Sequence, residues 1–284
     1  MMRILMAGDT HGDASHVRHL LSVAQLQRCD RIFVLGDFGY WEHTGEGRNF
    51  LNRVDIHADL KDIPIYFLDG NHDKTSLLLE NYDKSTQFQD GEGFLLVREY
   101  VRYARRGLTW IWDDVEFIAL GGAYSVDKQW RLDREAKSGL PESLWFPEEE
   151  MTDEEMNEIL EELDGRSVDV MLAHDKPRSS NPDWNRKDFL ECLPNQDRLQ
   201  AAVQALRPVL YLHGHLHFRY TGQAVYPIEK MSGGYMGECR VEGLDCNTRD
   251  QDFTTGRTVP DLSASWYVLD TDDVKKMIEE REKW

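Results

Sequence analysis

Several short apolar runs in this sequence end at residues that can bind a metal ion. These residues are Asp9, His11, Asp37, Asn71, His72, His174, His215 and His217. Their donors are carboxylate or amide oxygens and imidazole nitrogens, with no thiolate among them. Such a mixture suits Mn²⁺, Fe or Zn²⁺ in five- or six-fold coordination better than it suits a closed structural zinc site.

The spacing of these residues predicts a shared site. In Asp9-Thr10-His11 and in His215-Leu216-His217 the two candidate ligands are separated by one residue, and extended backbone points residues i and i+2 to the same side. The set is too large for one ion. Two metals about 3.5 to 4 Å apart, bridged by a carboxylate and a hydroxide, would use all of it, and such pairs promote in-line attack at phosphorus. The chemistry predicted is phosphoester hydrolysis.

The elements around these residues predict an α/β fold. Apolar runs at 4–7, 32–35 and 63–68 alternate with helical patterns at 15–26 and about 47–60, which indicates a partly parallel sheet covered by helices. Ligand sites in such sheets form beyond the carboxyl ends of the strands. Residues from several strand ends can therefore converge on one crevice.

The rest of the chain predicts further strands and a helical insertion within one domain, 1–284. Hairpin patterns occupy 94–120. Buried strands are expected at 168–173 and 209–212, with a helix at 196–206 between them. The secondary-structure signals are weak from 222 to 266. Residues 123–164 are predicted to form an inserted helical subdomain or lid, with a capping box at Thr152 and Glu155. A strand at 266–269 and a C-terminal helix at 272–284 complete the prediction.

The net charge of the chain limits the classes of molecule that it can bind. The chain carries 52 Asp and Glu against 33 Lys and Arg, a formal charge of −19, which would repel a phosphate backbone or an anionic membrane. We expect a small phosphoester substrate, no stable nucleic-acid binding and no membrane association. The sequence does not indicate an oligomeric state.

The cysteines and the N-terminal residues bear on where in the cell the protein is found. Cys29, Cys192, Cys239 and Cys246 form no CxxC pair and are expected to be free thiols in a reducing environment. The short apolar run before Gly8 is not a signal peptide, and no run approaches the roughly 18 residues that cross a bilayer. These features favour a cytoplasmic protein.

Five sequence blocks together resemble the calcineurin-like metallophosphoesterase superfamily. They are Gly8-Asp9-Thr10-His11-Gly12, Gly36-Asp37, Gly70-Asn71-His72-Asp73, Ala173-His174-Asp175 and Gly214-His215-Leu216-His217, in the family's order. The resemblance implies a four-layer αββα sandwich with two mixed β-sheets and a dinuclear centre at the strand ends. It also implies that a bridging hydroxide is the nucleophile.

The same resemblance implies a role for each residue. Asp9, His11 and His217 would hold the first metal, Asn71, His174 and His215 the second, and Asp37 would bridge both. His72 would lie outside the metal shells and either stabilise the pentavalent state or protonate the leaving oxygen. Mn²⁺ is the metal we expect; Fe, Zn²⁺, Ni²⁺ and Co²⁺ would also suit the ligands.

The chain departs from the protein serine/threonine phosphatases of this superfamily. Tyr40 and Trp41 stand where those enzymes have an Asp and an Arg, so the usual carboxylate partner of His72 is missing. Asp69, Asp73 and Glu42 are candidate substitutes. The Gly-His-Leu-His block resembles the phosphodiesterase and nuclease branches instead.

Structural interpretations compete with the chemical ones at single positions. Asp9 could cap the following helix, Asp37 and Asn71 could be turn residues, and His174 could be a satisfied structural histidine. Their joint occurrence favours a metal site. Arg131, Arg134 and Trp41 are candidate substrate contacts, although a surface helix or simple packing would explain the same residues.

The sequence therefore predicts a dinuclear metal-dependent phosphoesterase, specifically a phosphodiesterase that hydrolyses a small nucleotide or a similar diester. A metal-dependent nuclease is the alternative within the same chemistry, and the negative charge disfavours it. A non-catalytic scaffold that uses the fold to bind a protein partner is the alternative of another class. A nuclease would weaken steeply as salt rises, and a scaffold would not turn over any ester.

Overall fold

A computed structural model describes residues 1–82, 89–140, 143–182, 189–227, 236–247, 250–251, 258–259 and 262–281. The described helices are α1 (Ala14–Leu26), α2 (Gly45–Asp59), α3 (Thr75–Tyr82), α4 (Lys128–Ser138), α5 (Asp153–Leu163), α6 (Leu193–Leu206) and α7 (Thr271–Arg281). Short 3₁₀ turns span Leu190–Cys192 and Leu262–Ser265.

The described strands are, in chain order, β1 (Arg3–Ala7), β2 (Arg31–Leu35), β3 (Ile65–Leu68), β4 (Leu95–Leu96), β5 (Val101–Tyr103), β6 (Thr109–Trp112), β7 (Val115–Leu120), β8 (Val170–Ala173), β9 (Leu210–His213), β10 (Tyr220–Pro227), β11 (Met236–Gly243), β12 (Asp250–Gln251), β13 (Thr258–Val259) and β14 (Trp266–Asp270). Strands β12 and β13 pair only with each other.

Two mixed six-stranded sheets form the centre of the fold. The first has the order β14-β1-β2-β3-β5-β4, and the second has the order β10-β11-β9-β8-β7-β6. In each sheet the four inner strands are parallel, and the outermost strand at each edge is antiparallel. The strands that precede the candidate ligands are all inner, parallel strands, so their carboxyl ends point the same way within each sheet.

Alternating side chains divide the apolar interior into three clusters. In β1, Leu5 faces an outer cluster with α1 and α2, whereas Ile4 and Met6 face a central cluster that is shared with the second sheet. In β8, Leu172 faces the central cluster and Met171 an outer cluster with α5 and α6. The layer order is helix, sheet, sheet, helix, which confirms the predicted αββα sandwich.

The predicted capping box is present at the start of α5. The Thr152 side chain accepts from the backbone N–H of Glu155, and the Glu155 side chain accepts from the backbone N–H of Thr152. Met156 and Leu163 of the same helix are buried in the outer cluster of the second sheet. Thus α5 belongs to the outer helical layer. Helix α4 instead brings Arg131 to His72, at the carboxyl ends of the strands.

The sequence did not predict α3, β10, β11, β12 or β13. In β10 and β11 buried and exposed residues alternate, and the strands contain glycine, proline and charged residues that weaken the apolar signal. The four cysteines are buried and form no disulfide bond, as predicted. Across the described residues, no helix combines the length and the hydropathy needed to span a membrane.

Candidate metal centre

The carboxyl ends of β1 and β9 come together at Asp9 and His217. Nε2 of His217 lies 2.9 Å from Oδ2 of Asp9, and Nε2 of His11 lies 3.9 Å from the same oxygen. The rings of His11 and His217 have centroids 5.1 Å apart. Asp9 does not cap α1, because Asp13 accepts the first N–H groups of that helix. These three side chains form one group that could hold a metal ion.

Asp37 lies between His11 of that group and His174, which follows β8 of the second sheet. Its Oδ2 is 3.5 Å from Nε2 of His11, and its Oδ1 is 3.4 Å from Nε2 of His174. Both carboxylates are buried, with 1% or less of either side chain exposed. Asp37 therefore joins two neighbouring groups of candidate ligands, as a bridging carboxylate must.

Asn71, His174 and His215 form a second set of neighbouring side chains. The Oδ1 atom of Asn71 is 3.0 Å from Nε2 of His174, and the rings of His174 and His215 have centroids 5.0 Å apart. The Asn71 amide nitrogen donates to Oγ of Ser125 at 2.9 Å. This bond directs the amide oxygen, which would be the metal-binding atom, toward His174.

Second hydrogen bonds fix the orientation of two histidines. Nδ1 of His11 is 3.0 Å from Oδ1 of Asn247, and Nδ1 of His174 is 2.7 Å from the carbonyl of Leu35. Each Nδ1 donates to one of these oxygens, so Nε2 is the nitrogen that would bind a metal once its proton has left, an arrangement usual for metal-binding histidines. Sequence reasoning missed Asn247, which lies outside the recognised blocks and follows a region of weak signals.

The backbone at the site is unusual. His11, Asp37, His215 and His217 all have positive φ, between 45° and 63°, a conformation that costs about 1–3 kcal/mol per non-glycine residue when it is imposed by the fold. Gly36 and Gly214 precede two of these turns, and an added Cβ would come within 2.2 Å of His174 or Asp9. Gly36 and Gly214 are required because His174 and Asp9 pack against them.

Charge is balanced within the metal-free site. Burial lowers the pKa of His11, His174 and His217, but their partners outweigh burial: Asp37 and Asp9 raise the pKa of His11 to about 9 and that of His174 to about 10, and Asp9 with Cys246 raises the pKa of His217 to about 11. Conversely, the pKa of each carboxyl group lies below its usual value, because the neighbouring histidines outweigh burial. Protons occupy the positions that metal ions would take.

His72 has a different environment from the other histidines. Its Nε2 lies 3.7 Å from Oδ2 of Asp37 and accepts a hydrogen bond from Nη2 of Arg131 at 3.2 Å. Burial lowers the pKa of His72 to about 4; the nearby Asp37 opposes this shift and the Arg131 charge adds to it. At neutral pH His72 is therefore neutral in the metal-free protein.

The predicted substitute partners of His72 have other contacts. Asp69 accepts from Tyr103 and Arg106, and Glu42 accepts from Tyr40 and Arg98. The four N–H groups that donate to Asp73 are those of Phe38, Gly39, Tyr40 and Gly70. The carboxylate that faces Nε2 of His72 is that of Asp37.

The three predicted substrate contacts lie in different places. Arg131 reaches His72, as described above. The indole N–H of Trp41 donates to the carbonyl of His72 at 2.7 Å, and the ring packs on Gly12, which makes Trp41 a wall of the crevice. The guanidinium of Arg134 instead lies over the ring of Trp130, 4.9 Å from its centroid.

Comparisons with known proteins agree with this geometry. The model of the calcineurin-like phosphoesterase family matches residues 2–219, and the chain belongs to this family. Its members bind a pair of divalent metal ions, and the Asp and His groups at the strand ends fit such ions in donor type and separation. The family implies a metal-dependent phosphoester hydrolase.

Several solved structures are similar to the chain at low identity. The protein TT1561 of Thermus thermophilus is 14% identical, with 86% of this chain and 89% of that one covered and a TM-score of 0.46. A dimetal phosphatase from Danio rerio is 13% identical, with coverages of 86% and 87% and a TM-score of 0.47. An archaeal phosphodiesterase is 12% identical, with coverages of 94% and 99% and a TM-score of 0.36. None of the curated proteins compared with the chain is a significant match.

Proposed function

We propose that this protein is a metal-dependent phosphodiesterase that hydrolyses a small nucleotide or a similar phosphodiester, with Mn²⁺ as its metal. The single observation that carries the proposal is the position of Asp37. Its carboxylate lies within 3.5 Å of Nε2 of His11 on one side and Nε2 of His174 on the other. A carboxylate placed in this way can bridge two cations.

The ligands divide into two sets around this bridge. Asp9, His11 and His217 would hold one cation, Asn71, His174 and His215 would hold the other, and Asp37 would bind both. When bound, two such cations acidify a water molecule and stabilise the negative charge that develops on a phosphoryl group. The Gly-His-Leu-His block, which would supply one histidine to each cation, supports a phosphodiesterase.

Residues outside the ligand sets would act on the substrate. His72 lies beside the bridge with Nε2 accepting from Arg131, so only its Nδ1–H could donate to a phosphoryl oxygen, and its low pKa disfavours proton transfer to the leaving group. The partly exposed ring of Trp41 would contact the organic part of the ester. The charge of −19 favours a small substrate over long nucleic acid.

Turnover of a model diester tests this proposal. The protein is stripped with a chelator, reloaded with Mn²⁺ and assayed with bis-p-nitrophenyl phosphate, beside His174→Ala and, as a histidine outside the site, His57→Gln. We expect Mn²⁺ to restore hydrolysis in the wild type and in His57→Gln but not in His174→Ala. Metal-loaded protein that turns over no ester would refute the proposal and favour the scaffold.

A second assay separates small substrates from nucleic acid. Rates with cyclic nucleotides, dinucleotides and short DNA are compared between about 50 mM and about 200 mM salt, a range over which duplex-binding proteins lose about 10³–10⁵ in affinity. We expect the small diesters to be preferred and to depend weakly on salt. Preferential, salt-sensitive cleavage of DNA would replace the proposed activity with that of a nuclease.

A further inference from the structure

Arg131 is held in one orientation by all parts of its guanidinium group. Its Nε donates to Oδ1 of Asp127 at 2.8 Å, and its Nη1 donates to the carbonyl of Leu144 at 2.9 Å. The remaining nitrogen, Nη2, lies 3.2 Å from Nε2 of His72. An arginine fixed in this way loses little side-chain freedom when it binds a ligand.

The surrounding chain is built to hold this arginine. Asp127 occupies the N-cap position of α4, yet its side chain makes no capping hydrogen bond and instead accepts from Arg131. An aspartate at this position usually stabilises its helix by about 1 kcal/mol through such a bond. The Asp127 side chain therefore orients Arg131 instead of capping α4.

The carbonyl of Leu144 is positioned by a buried carboxylate. Oε1 of Glu135, on the same helix, accepts hydrogen bonds from the backbone N–H groups of Ser143, Leu144 and Trp145 at 2.6 to 2.9 Å. Glu135 thus fastens the segment after α4 against the helix. This fixes the second of the two oxygens that orient Arg131.

Arg131 brings a permanent positive charge to the edge of the metal centre. His72, which it contacts, lies 3.7 Å from the bridging carboxylate of Asp37. Among the described residues the carboxylate paired with Arg131 is that of Asp127, on the Nε side, whereas the Nη2 end points to His72 with no carboxylate of its own. A planar guanidinium directed toward a metal centre matches the oxygens of a phosphoryl group.

We propose that Arg131 binds the phosphoryl group of the substrate and that Asp127 is the residue that positions it. This inference rests on the proposed function, because it assumes that a phosphoester occupies the crevice. Through Arg131, helix α4 then contributes to substrate specificity, because it favours ligands that place an anionic phosphoryl oxygen next to His72. Esters without such an oxygen would gain nothing from this contact.

Phosphate binding tests the inference without turnover. The affinity of the Mn²⁺-loaded protein for inorganic phosphate is measured by calorimetry in the wild type, Arg131→Ala, Arg131→Lys and Lys137→Ala. Lys137 is an exposed cation on the same helix and controls for net charge. We expect Arg131→Ala to weaken phosphate binding at least about tenfold, as loss of a charge-assisted hydrogen bond does, and Arg131→Lys to be intermediate.

Three further measurements define how Arg131 and Asp127 act. Metal content should be unchanged in the Arg131 variants, and both should remain folded at the temperature of the binding assay. Free guanidinium chloride at millimolar concentration should restore part of the lost phosphate affinity in Arg131→Ala. Asp127→Ala should weaken phosphate binding in the wild type but have no further effect in Arg131→Ala, since a positioning residue acts only through the residue it positions.

The outcomes separate this inference from the proposed function. Equal phosphate affinity in Arg131→Ala, Arg131→Lys and Lys137→Ala would overturn the role of Arg131. Additive losses in the Asp127 and Arg131 double variant would overturn the positioning role. If the wild type binds phosphate through Arg131 but hydrolyses no ester, the phosphodiesterase activity fails while the phosphate site stands.

Discussion

Nε2 of His217 lies 2.9 Å from Oδ2 of Asp9, although 208 residues separate the two in the chain. Asp9 follows a strand of the first sheet, and His217 follows a strand of the second. The contact is made because the central apolar cluster stacks the two sheets with their carboxyl ends side by side. The candidate metal centre is thus a product of sheet packing, and each sheet supplies part of it.

Replacing Asp37 with Asn tests the proposed bridge. Asparagine keeps the shape but removes the negative charge that two cations would share, so we expect Mn²⁺ affinity to fall by more than about 100-fold. Turnover should fall with it. Calorimetric titration with Mn²⁺ measures the change, with the exposed Asp59→Asn as the matched control. Normal metal affinity in the Asp37 variant would contradict the bridging role.

The role of His72 can be read from its dependence on the leaving group. Because its pKa is lowered to about 4 and its Nε2 accepts from Arg131, His72 at neutral pH has no proton on that atom to give. His72→Ala should therefore reduce kcat by about 10- to 100-fold, and by similar factors for p-nitrophenyl and alkyl esters. A much larger loss with the alkyl ester would show instead that His72 protonates the leaving oxygen.

Metal binding should release protons. At pH 8 His11, His174 and His217 are protonated in the metal-free protein, since their pKa values are about 9, 10 and 11, and each must lose its proton to bind a metal. Up to about three protons should be released as the site fills. Calorimetry in buffers of different ionisation enthalpy counts them. Metal binding at pH 8 without proton release would disprove the charge balance described here.

The same pKa values predict an alkaline instability of the metal-free protein. Folded-state values above the ordinary value near 6.5 stabilise the fold fully below about pH 6.5, and this contribution is lost as pH rises through about 9 to 11. The buried Asp9 and Asp37 would then have no countercharge. Chelated protein should melt at a lower temperature at pH 10 than at pH 7.5, and Mn²⁺-loaded protein should show a smaller difference.

Asp73 joins the loops that carry Asp37 and Asn71. Its buried carboxylate accepts from four backbone N–H groups, and an asparagine would turn an NH₂ group toward two of them. Asp73→Asn should therefore lower the free energy of unfolding by about 2–5 kcal/mol. Urea unfolding compares it with Asp164→Asn, a change at an exposed helix end. Similar stability of the two variants would show that the network is dispensable.

The apolar runs were sufficient to predict an α/β fold with a partly parallel sheet, and the resemblance of the five blocks to the metallophosphoesterase superfamily implied the four-layer αββα arrangement. The ligand roles are still predictions, although the structure brings Asp9, Asp37 and His174 together. The spacing within Asp9-Thr10-His11 suggested a shared site on the assumption of extended backbone. His11 instead has positive φ, so a turn rather than strand geometry directs its side chain.

The contacts that the sequence could not predict are those made between distant segments. Asn247 reaches His11 from a region without periodic signals. Ser125 follows β7 of the second sheet and Asn71 follows β3 of the first, so these two meet only because the sheets pack together. Arg131 was a candidate phosphate clamp from its sequence, but its orientation depends on Asp127 and on the segment that Glu135 holds. No local pattern encodes such relationships.

The central claim is that one crevice holds two divalent cations joined by Asp37. A crystal of the Mn²⁺-soaked protein, measured at the manganese absorption edge, tests it most directly. We expect two anomalous peaks about 3.5 to 4 Å apart, one beside Asp9 and His217, the other beside Asn71 and His215, with the Asp37 carboxylate between them. A single peak, or peaks away from Asp37, would contradict the claim.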